Sequence, residues 1–179
     1  MSITIVSYEE LKDVARFTPQ LDAIFFQSSN TKTFASDAAR AAFRERWLGR
    51  YMTHYPQWFY VALVDGDVAG YLAGCLDDPA ALPLFADIAL YKTFAMWTAK
   101  YPAHLHVNLA AAYRSAGIGS QLVERFCQDA RRAGSRGIHV LTGQRARNVG
   151  FYARNGFRQL AAAGEGAAAV VFLARDIEA

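Results

Sequence analysis

Residues 103–134 read Ala103-His-Leu-His-Val-Asn-Leu109, then Ala110-Ala-Ala-Tyr113, then Arg114-Ser-Ala-Gly-Ile-Gly-Ser120, then Gln121-Leu-Val-Glu-Arg-Phe-Cys-Gln-Asp-Ala130 and Arg131-Arg-Ala-Gly134. In the first piece His104, His106 and Asn108 fall on one side and Leu105, Val107 and Leu109 on the other, the period-two alternation of a strand. A polar loop leads to Gly117-Ile118-Gly119. Ile118, Leu122, Phe126 and Ala130 then recur at four-residue spacing and line one face of a helix. Gly134 is the residue expected just past its last turn. Ile138 to Leu141 is a second apolar strand, and a short helix from about Ala146 to Asn155 follows it, closed by Gly156. Strand–helix–strand–helix implies a parallel pair joined by a right-handed crossover, so the predicted class is mixed α/β.

Working outward, Ser2 to Val6 reads as a strand, and Tyr8 to Phe17 and Leu21 to Phe26 as two short helices broken at Thr18-Pro19. Ser36 is a candidate N-cap for a helix reaching about His54, with Ala39, Phe43 and Trp47 on one face. Trp58 to Val64 and Val68 to Leu76 form a hairpin around Asp65-Gly66-Asp67. The connection from Asp77 to Pro102 carries Phe85, Ile88, Tyr91, Phe94 and Trp97, which suggests a helix and more aromatic surface than solvent tolerates. That surface is expected in the core first, with a substrate pocket or a partner contact as the other readings, and a lid or dimer role for 77–102 as a further one. Phe157 to Leu160 and Ala168 to Leu173 read as a last hairpin with an Ala-Gly-Glu-Gly tip. No repeat or linker interrupts the pattern, so residues 1–179 are expected to be one domain.

Composition excludes several classes. Hydrophobic residues make up 53% and charged residues 20%, with 13 Gly and 5 Pro, which is ordinary globular usage. The longest uncharged apolar run, Ala167 to Ala174, is far below the ~20 residues of a membrane span. The opening Met1-Ser-Ile-Thr-Ile-Val has no basic-then-apolar character, so no secretory signal or membrane association is expected, and a cytoplasmic location is. Cys75 and Cys127 are too few for a disulfide framework, and the four histidines show no metal-ligand spacing. The net charge of +3 is unevenly spread: residues 1–100 carry 9 Lys+Arg against 11 acids, residues 101–179 carry 10 Arg against 5. An anionic partner suits the second half. Its arginines are scattered and lack an aromatic–basic motif, which favours a small polyanion over nucleic acid.

The loop before the long helix fits such a polyanion. Small residues in Arg114-Ser115-Ala116-Gly117-Ile118-Gly119-Ser120 let a ligand approach the backbone, and the first amides of a helix have no internal partners. With the helix dipole they form a seat for phosphate oxygens. A P-loop is excluded because Gly119 is followed by Ser120-Gln121 rather than Lys-Ser/Thr. A dinucleotide fingerprint is excluded because Leu122 stands where a third Gly or Ala is required.

Arg114-x-x-Gly117-x-Gly119 after a strand, then Asn148 and Phe151-Tyr152 on the next helix with Asn155-Gly156-Phe157 closing it, resembles the GCN5-related N-acetyltransferases (GNAT). Within that superfamily, His104 to Leu109 and Gly134-Ser135-Arg136-Gly137 are similar to bacterial relatives of the acetyltransferase-like domain that ends the O-GlcNAc hydrolases. The motifs lie within about 101–160; elsewhere the agreement is in the order of elements. The resemblance implies a mixed, mostly antiparallel sheet with a splayed parallel pair, flanked by helices. It also implies acetyl-CoA as cofactor and direct transfer of acetyl to an amine.

On that resemblance, the amides of Ser115, Ala116, Gly117, Ile118, Gly119 and Ser120 hold the coenzyme A pyrophosphate, with Arg114 at the start of the loop. Leu109 and Ala111 pair with the pantetheine arm, and the Leu109 amide faces the thioester oxygen. Asn148 hydrogen-bonds the pantetheine, while Phe151 and Tyr152 belong to the same cofactor wall. Asn148 and Tyr152 are four apart, so they project from one side of a short helix. Acyl transfer from a thioester generates an oxyanion and then a thiolate. An amide stabilises the first and a phenol protonates the second, which makes Tyr152 the candidate general acid.

The attacking amine must lose a proton, since a free lysine-like amine is neutral only about once in a thousand at pH 7. The strand positions where the family places an acid or base are Ala103 and Leu105 here, with His104 and His106 one register off. His106 is a candidate base, with a structural histidine as the other reading, and Asn108 a candidate for orienting substrate or water. Cys127 sits at helical spacing from Val123 and reads as core; Arg145, Arg147 and Arg154 read either as contacts to the adenosine 3′-phosphate or as solvated surface. The acceptor is expected to be a small-molecule, peptide or protein amine, and the chain a monomer or homodimer. The alternative, a catalytically weak or inactive acetyl-CoA-binding module, rests on the missing side-chain acid or base at Ala103 and Leu105.

Overall fold

A computed structural model describes residues 2–177. Seven strands share one sheet: β1 Ile3–Ser7, β2 Phe59–Val64, β3 Asp67–Cys75, β4 Ala103–Leu109, β5 Gly137–Gly143, β6 Arg158–Ala163 and β7 Val170–Asp176, in the order β1-β2-β3-β4-β5-β7-β6. The pairs β1–β2, β2–β3, β5–β7 and β6–β7 are antiparallel, and β4–β5 is parallel, as the strand–helix–strand pattern predicts. The β4–β5 ladder holds Ala103↔Ile138 and His104↔His139. The helices are α1 Val14–Ser28, α2 Asp37–Arg44, α3 Arg50–His54, α4 Ala89–Thr93, α5 Ala95–Thr98, α6 Ile118–Arg132 and α7 Asn148–Arg154. Among the described residues the backbone falls into two compact units, one of residues 2–74 and 106–126, the other of residues 75–105 and 127–177.

In the first unit, α1 corrects the break expected at Thr18-Pro19: Pro19 lies inside one continuous helix. A proline in the second turn forfeits one hydrogen bond. Phe17, Leu21, Ile24 and Phe25 are all buried on one stripe of α1, and that burial outweighs the loss. Ser36 caps α2 as expected, its hydroxyl accepting from the Ala39 N–H at 3.1 Å. The helix expected to run on to His54 is interrupted by a π-turn at Glu45–Gly49, where the Arg50 N–H donates to the Glu45 carbonyl before α3 begins. The β2–β3 hairpin turns on Asp65 and Gly66, both at positive φ (49° and 91°), the type I′ geometry that suits a right-twisted ribbon. Phe126 of α6 packs edge-on to Tyr60, and a Cβ at Gly74 would lie 2.4 Å from its ring, so β3 admits only glycine there.

In the second unit, the helix suggested for 77–102 is a series of short pieces, a 3₁₀ turn at Pro83–Phe85 followed by α4 and α5. Its aromatics do enter the core, as the apolar reading requires: Phe85, Tyr91 and Phe94 are buried, and Phe94 packs on Phe172 and Ala174 of β7 with Trp97 and Tyr101 around it. α6 ends with the Ser135 N–H donating to the Ala130 carbonyl around Gly134 (φ 85°), the expected cap. The last hairpin, β6–β7, has longer strands than its sequence suggests.

Candidate active site

The segment from Leu109 to Ser120 in the first unit holds most of the nominated residues. A 3₁₀ turn at Ala111–Tyr113 leads off β4, and the Ala110 N–H donates to the Ala69 carbonyl at 2.9 Å. Arg114 Nε donates to the Leu109 carbonyl at 3.3 Å, so the guanidinium closes this turn. Ser115 and Gly117 both stand in the left-handed region, at φ 65° and 79°. Such alternation turns successive N–H groups to one side, a concavity suited to anions. The Gln121 N–H donates to the Gly117 carbonyl, and the amides of Ile118, Gly119 and Ser120 precede it at the positive end of a 15-residue helix. Residues 114–117 are exposed, and no atom lies within 4 Å of where a Gly117 Cβ would stand. Gly117 is therefore required by its dihedral, and the space beside it is open.

The exposed nest fits the diphosphate of coenzyme A. It offers neutral backbone donors and a helix dipole to an anion, and no acidic side chain lies among residues 109–123.

His106 and Asn108 of β4 also belong to the first unit. The His106 ring packs edge-on to Tyr51 (centroids 5.1 Å apart) and Tyr71 (6.5 Å). Its imidazole hydrogen-bonds the Trp47 backbone, while Nε2 is buried without a hydrogen-bond partner. Burial lowers its pKa to about 4, with the Trp47 bond opposing that shift, so the ring is neutral at pH 7. Asn108 Nδ2 donates to the Tyr71 hydroxyl at 2.7 Å, and Tyr71 stacks on Phe59 at 5.2 Å. Desolvation pushes the Tyr71 phenol well above its ordinary value and keeps it protonated. A Cβ at Gly70 would lie 2.3 Å from Leu109 Cδ2 and 2.6 Å from the Asn108 carbonyl, so β4 approaches β3 as closely as backbones allow.

In the second unit, Thr142 Oγ1 donates to Asn148 Oδ1 at 2.8 Å, which ties α7 to β5. Tyr152 is 1% exposed, in edge contact with Phe151 and Phe157. His104 belongs to this unit and is a core residue, against Phe85, Tyr91 and His139. Ala103 and Leu105 are buried aliphatic positions. Cys127 is buried too, as its helical spacing predicts. Arg145, Arg147 and Arg154 lie in or beside α7.

Two structural features beside the nominated residues escaped sequence reasoning. Tyr71 is 37 residues from the Asn108 it binds, and nothing local marks that pairing. The π-turn sits inside a regular helical period, which gives no sign of a single inserted step. Among the described residues no group of three or more His, Cys, Asp or Glu is placed to hold a metal ion, and no helix is long and apolar enough to cross a membrane.

Comparison with known proteins agrees with this arrangement. A model described as the acetyltransferase (GNAT) family matches residues 25–157. The structure of SsHAT is 19% identical, with 99% of each chain covered and a TM-score of 0.77. An N-acetyltransferase from Staphylococcus aureus Mu50 is 16% identical, with 99% of each chain covered and a TM-score of 0.64. The structure of yncA from Salmonella typhimurium with its cofactor acetyl-CoA is 18% identical, covering 99% of this chain and 95% of that one, with a TM-score of 0.60.

Proposed function

Since the chain belongs to the acetyltransferase (GNAT) family, we propose that it carries acetyl from acetyl-CoA directly to an amine, without an acyl-enzyme stage. The observation that carries this reading is the turn Arg114–Ser120: two left-handed residues, Ser115 and Gly117, at the head of α6, with exposed backbone and open space beside them.

Bound acetyl-CoA would supply the acetyl group already activated as a thioester. The amides of Ser115 to Ser120 hold its diphosphate. Leu109 and Ala111 pair with the pantetheine through their backbones, and the Leu109 N–H donates to the thioester oxygen. Asn148, fixed by Thr142, hydrogen-bonds the pantetheine, and Phe151 walls it. Tyr152 holds a phenolic proton for the departing sulfur. Asn108, fixed by Tyr71, orients the incoming amine, and the His106 imidazole accepts a hydrogen from it. The acceptor is a primary amine of a small molecule, a peptide N-terminus or a lysine side chain, and the protein works as a monomer or homodimer.

The test is release of free thiol from acetyl-CoA across those three acceptor classes, preceded by thermal denaturation with and without acetyl-CoA. Ligand at a hundred times its dissociation constant should add about 2.7 kcal/mol of stability. An unchanged melting temperature at saturating acetyl-CoA would refute the reading. A clear shift with no thiol release from any acceptor would instead favour a binding module.

A further inference from the structure

The turn between β5 and α7 is held at three points. The Gln144 N–H donates to the Ala169 carbonyl at 2.8 Å, the Ala146 N–H to the Gly143 carbonyl at 2.9 Å and the Val149 N–H to the Ala146 carbonyl at 3.2 Å. The turn brings Asn148, the first residue of α7, back beside Thr142 of β5. There Thr142 Oγ1 donates to Asn148 Oδ1 at 2.8 Å. Among the described residues this is the only hydrogen bond of either side chain.

An asparagine amide carries an acceptor, Oδ1, and a two-hydrogen donor, Nδ2. Half a turn about χ2 exchanges them, and that torsion sets little preference by itself. At Asn148 the threonine hydroxyl sets one. With the amide reversed, Nδ2 would donate to Oγ1, and the hydroxyl hydrogen would lose its acceptor in the protein. Oδ1 is therefore engaged with β5. Both Nδ2 hydrogens are left without a protein partner, on an exposed residue.

We propose that Thr142 is a positioning residue, whose hydroxyl orients the Asn148 amide so that Nδ2 donates to a pantetheine carbonyl oxygen. This rests on the acetyl-transfer reading. The amide groups of a pantetheine arm carry C=O and N–H side by side, as a peptide does. A donor at Asn148 accepts the carbonyl and rejects the N–H, because two facing donors leave each other unsatisfied. The Asn148 amide thus selects which part of the arm lies against α7, and with it the register of the thioester. Thr142 acts only through Asn148.

The test compares two ligands by isothermal titration. One is acetyl-CoA; the other is 3′-phospho-ADP, which keeps the nucleotide and diphosphate and has no pantetheine. Thr142→Val preserves the branched shape and removes the hydroxyl. It should weaken acetyl-CoA about fivefold, the weight of one ordinary hydrogen bond, and leave 3′-phospho-ADP unchanged. Thr142→Ser keeps the hydroxyl and should restore the wild-type ratio of the two dissociation constants. Asn148→Asp still offers Thr142 an acceptor and has no donor. Its added charge weakens both ligands, and the lost donor should weaken acetyl-CoA by about a further fivefold.

An unmoved ratio in Thr142→Val, whether both ligands keep affinity or both lose it, would overturn the inference. So would an Asn148→Asp chain whose ratio is unmoved or shifts in favour of acetyl-CoA, since a carboxylate rewards a pantetheine N–H. Asn148 is exposed, so this second variant decides if the first does not fold. Failure of the acetyl-transfer reading would show separately, as a wild-type chain with no acetyl-CoA thermal shift.

Discussion

Asn108 Nδ2 lies 2.7 Å from the Tyr71 hydroxyl oxygen, and this bond ties the C-terminal half of β4 to the centre of β3. Tyr71 is fully buried and its phenol is held above its ordinary pKa, so it serves Asn108 as a fixed neutral partner. Tyr71→Phe should cost about 1 kcal/mol in urea denaturation, the net value of one hydrogen bond. Because Asn108 is proposed to orient the amine, KM for the acceptor should rise in this variant while acetyl-CoA affinity holds. An unchanged acceptor KM would remove Asn108 from that role.

Tyr152→Phe separates chemistry from binding. Loss of a general acid typically costs at least about a hundredfold in kcat. The ring is buried between Phe151 and Phe157, and phenylalanine preserves that packing, so acetyl-CoA affinity should change little. Isothermal titration beside steady-state kinetics gives both numbers. Equal kcat in the variant would reassign Tyr152 to packing.

Gly70 and Gly117 should respond differently to alanine. At Gly70 the new methyl meets the Asn108 carbonyl and Leu109 Cα, main-chain atoms that cannot yield, so Gly70→Ala should destabilise by about 3 kcal/mol and impair activity. At Gly117 nothing is within reach, and only the positive φ is strained, at about 1–2 kcal/mol. There the main effect should be weaker acetyl-CoA binding, because relief of the strain rotates the nest. Equal stability losses in chemical denaturation would contradict this contrast.

Acid should unfold the protein through its buried histidines. Burial lowers the pKa of His106 and of His139 to about 4, against roughly 6.5 in the unfolded chain. The unfolded state therefore binds more protons between these values. Stability is complete above about pH 6.5 and is lost as pH falls toward 4, by up to about 3 kcal/mol for each histidine. His139 is surrounded by Tyr91, His104 and a stacked Phe172, with the Tyr101 carbonyl on its Nδ1 and Asp78 as the opposing charge. His139→Phe should flatten about half of the dependence in urea titrations at pH 4.5 and 7. An unaltered slope would show that the ring is already hydrated.

The parallel strand pair, the glycine-bearing turn, the capped helix after it and the hairpin on Asp65-Gly66 all followed from the chain alone, because each is signalled by residues adjacent in sequence. Alternation, four-residue periodicity and the demand for positive φ act over one or two turns. Elements whose outcome depended on burial were not legible in that way. Pro19 stays helical because four buried side chains on α1 outweigh one lost hydrogen bond. The aromatic stretch at 85–97 is divided into short turns whose rings are packed in two directions, Phe94 and Trp97 against Phe172 and Phe85 and Tyr91 against His104. Likewise the order of strands, the Asn108–Tyr71 bond and the meeting of His106 with the Trp47 backbone join positions tens of residues apart. Only tertiary packing decided them, since a hydrogen bond between distant residues leaves no period in the sequence that separates them.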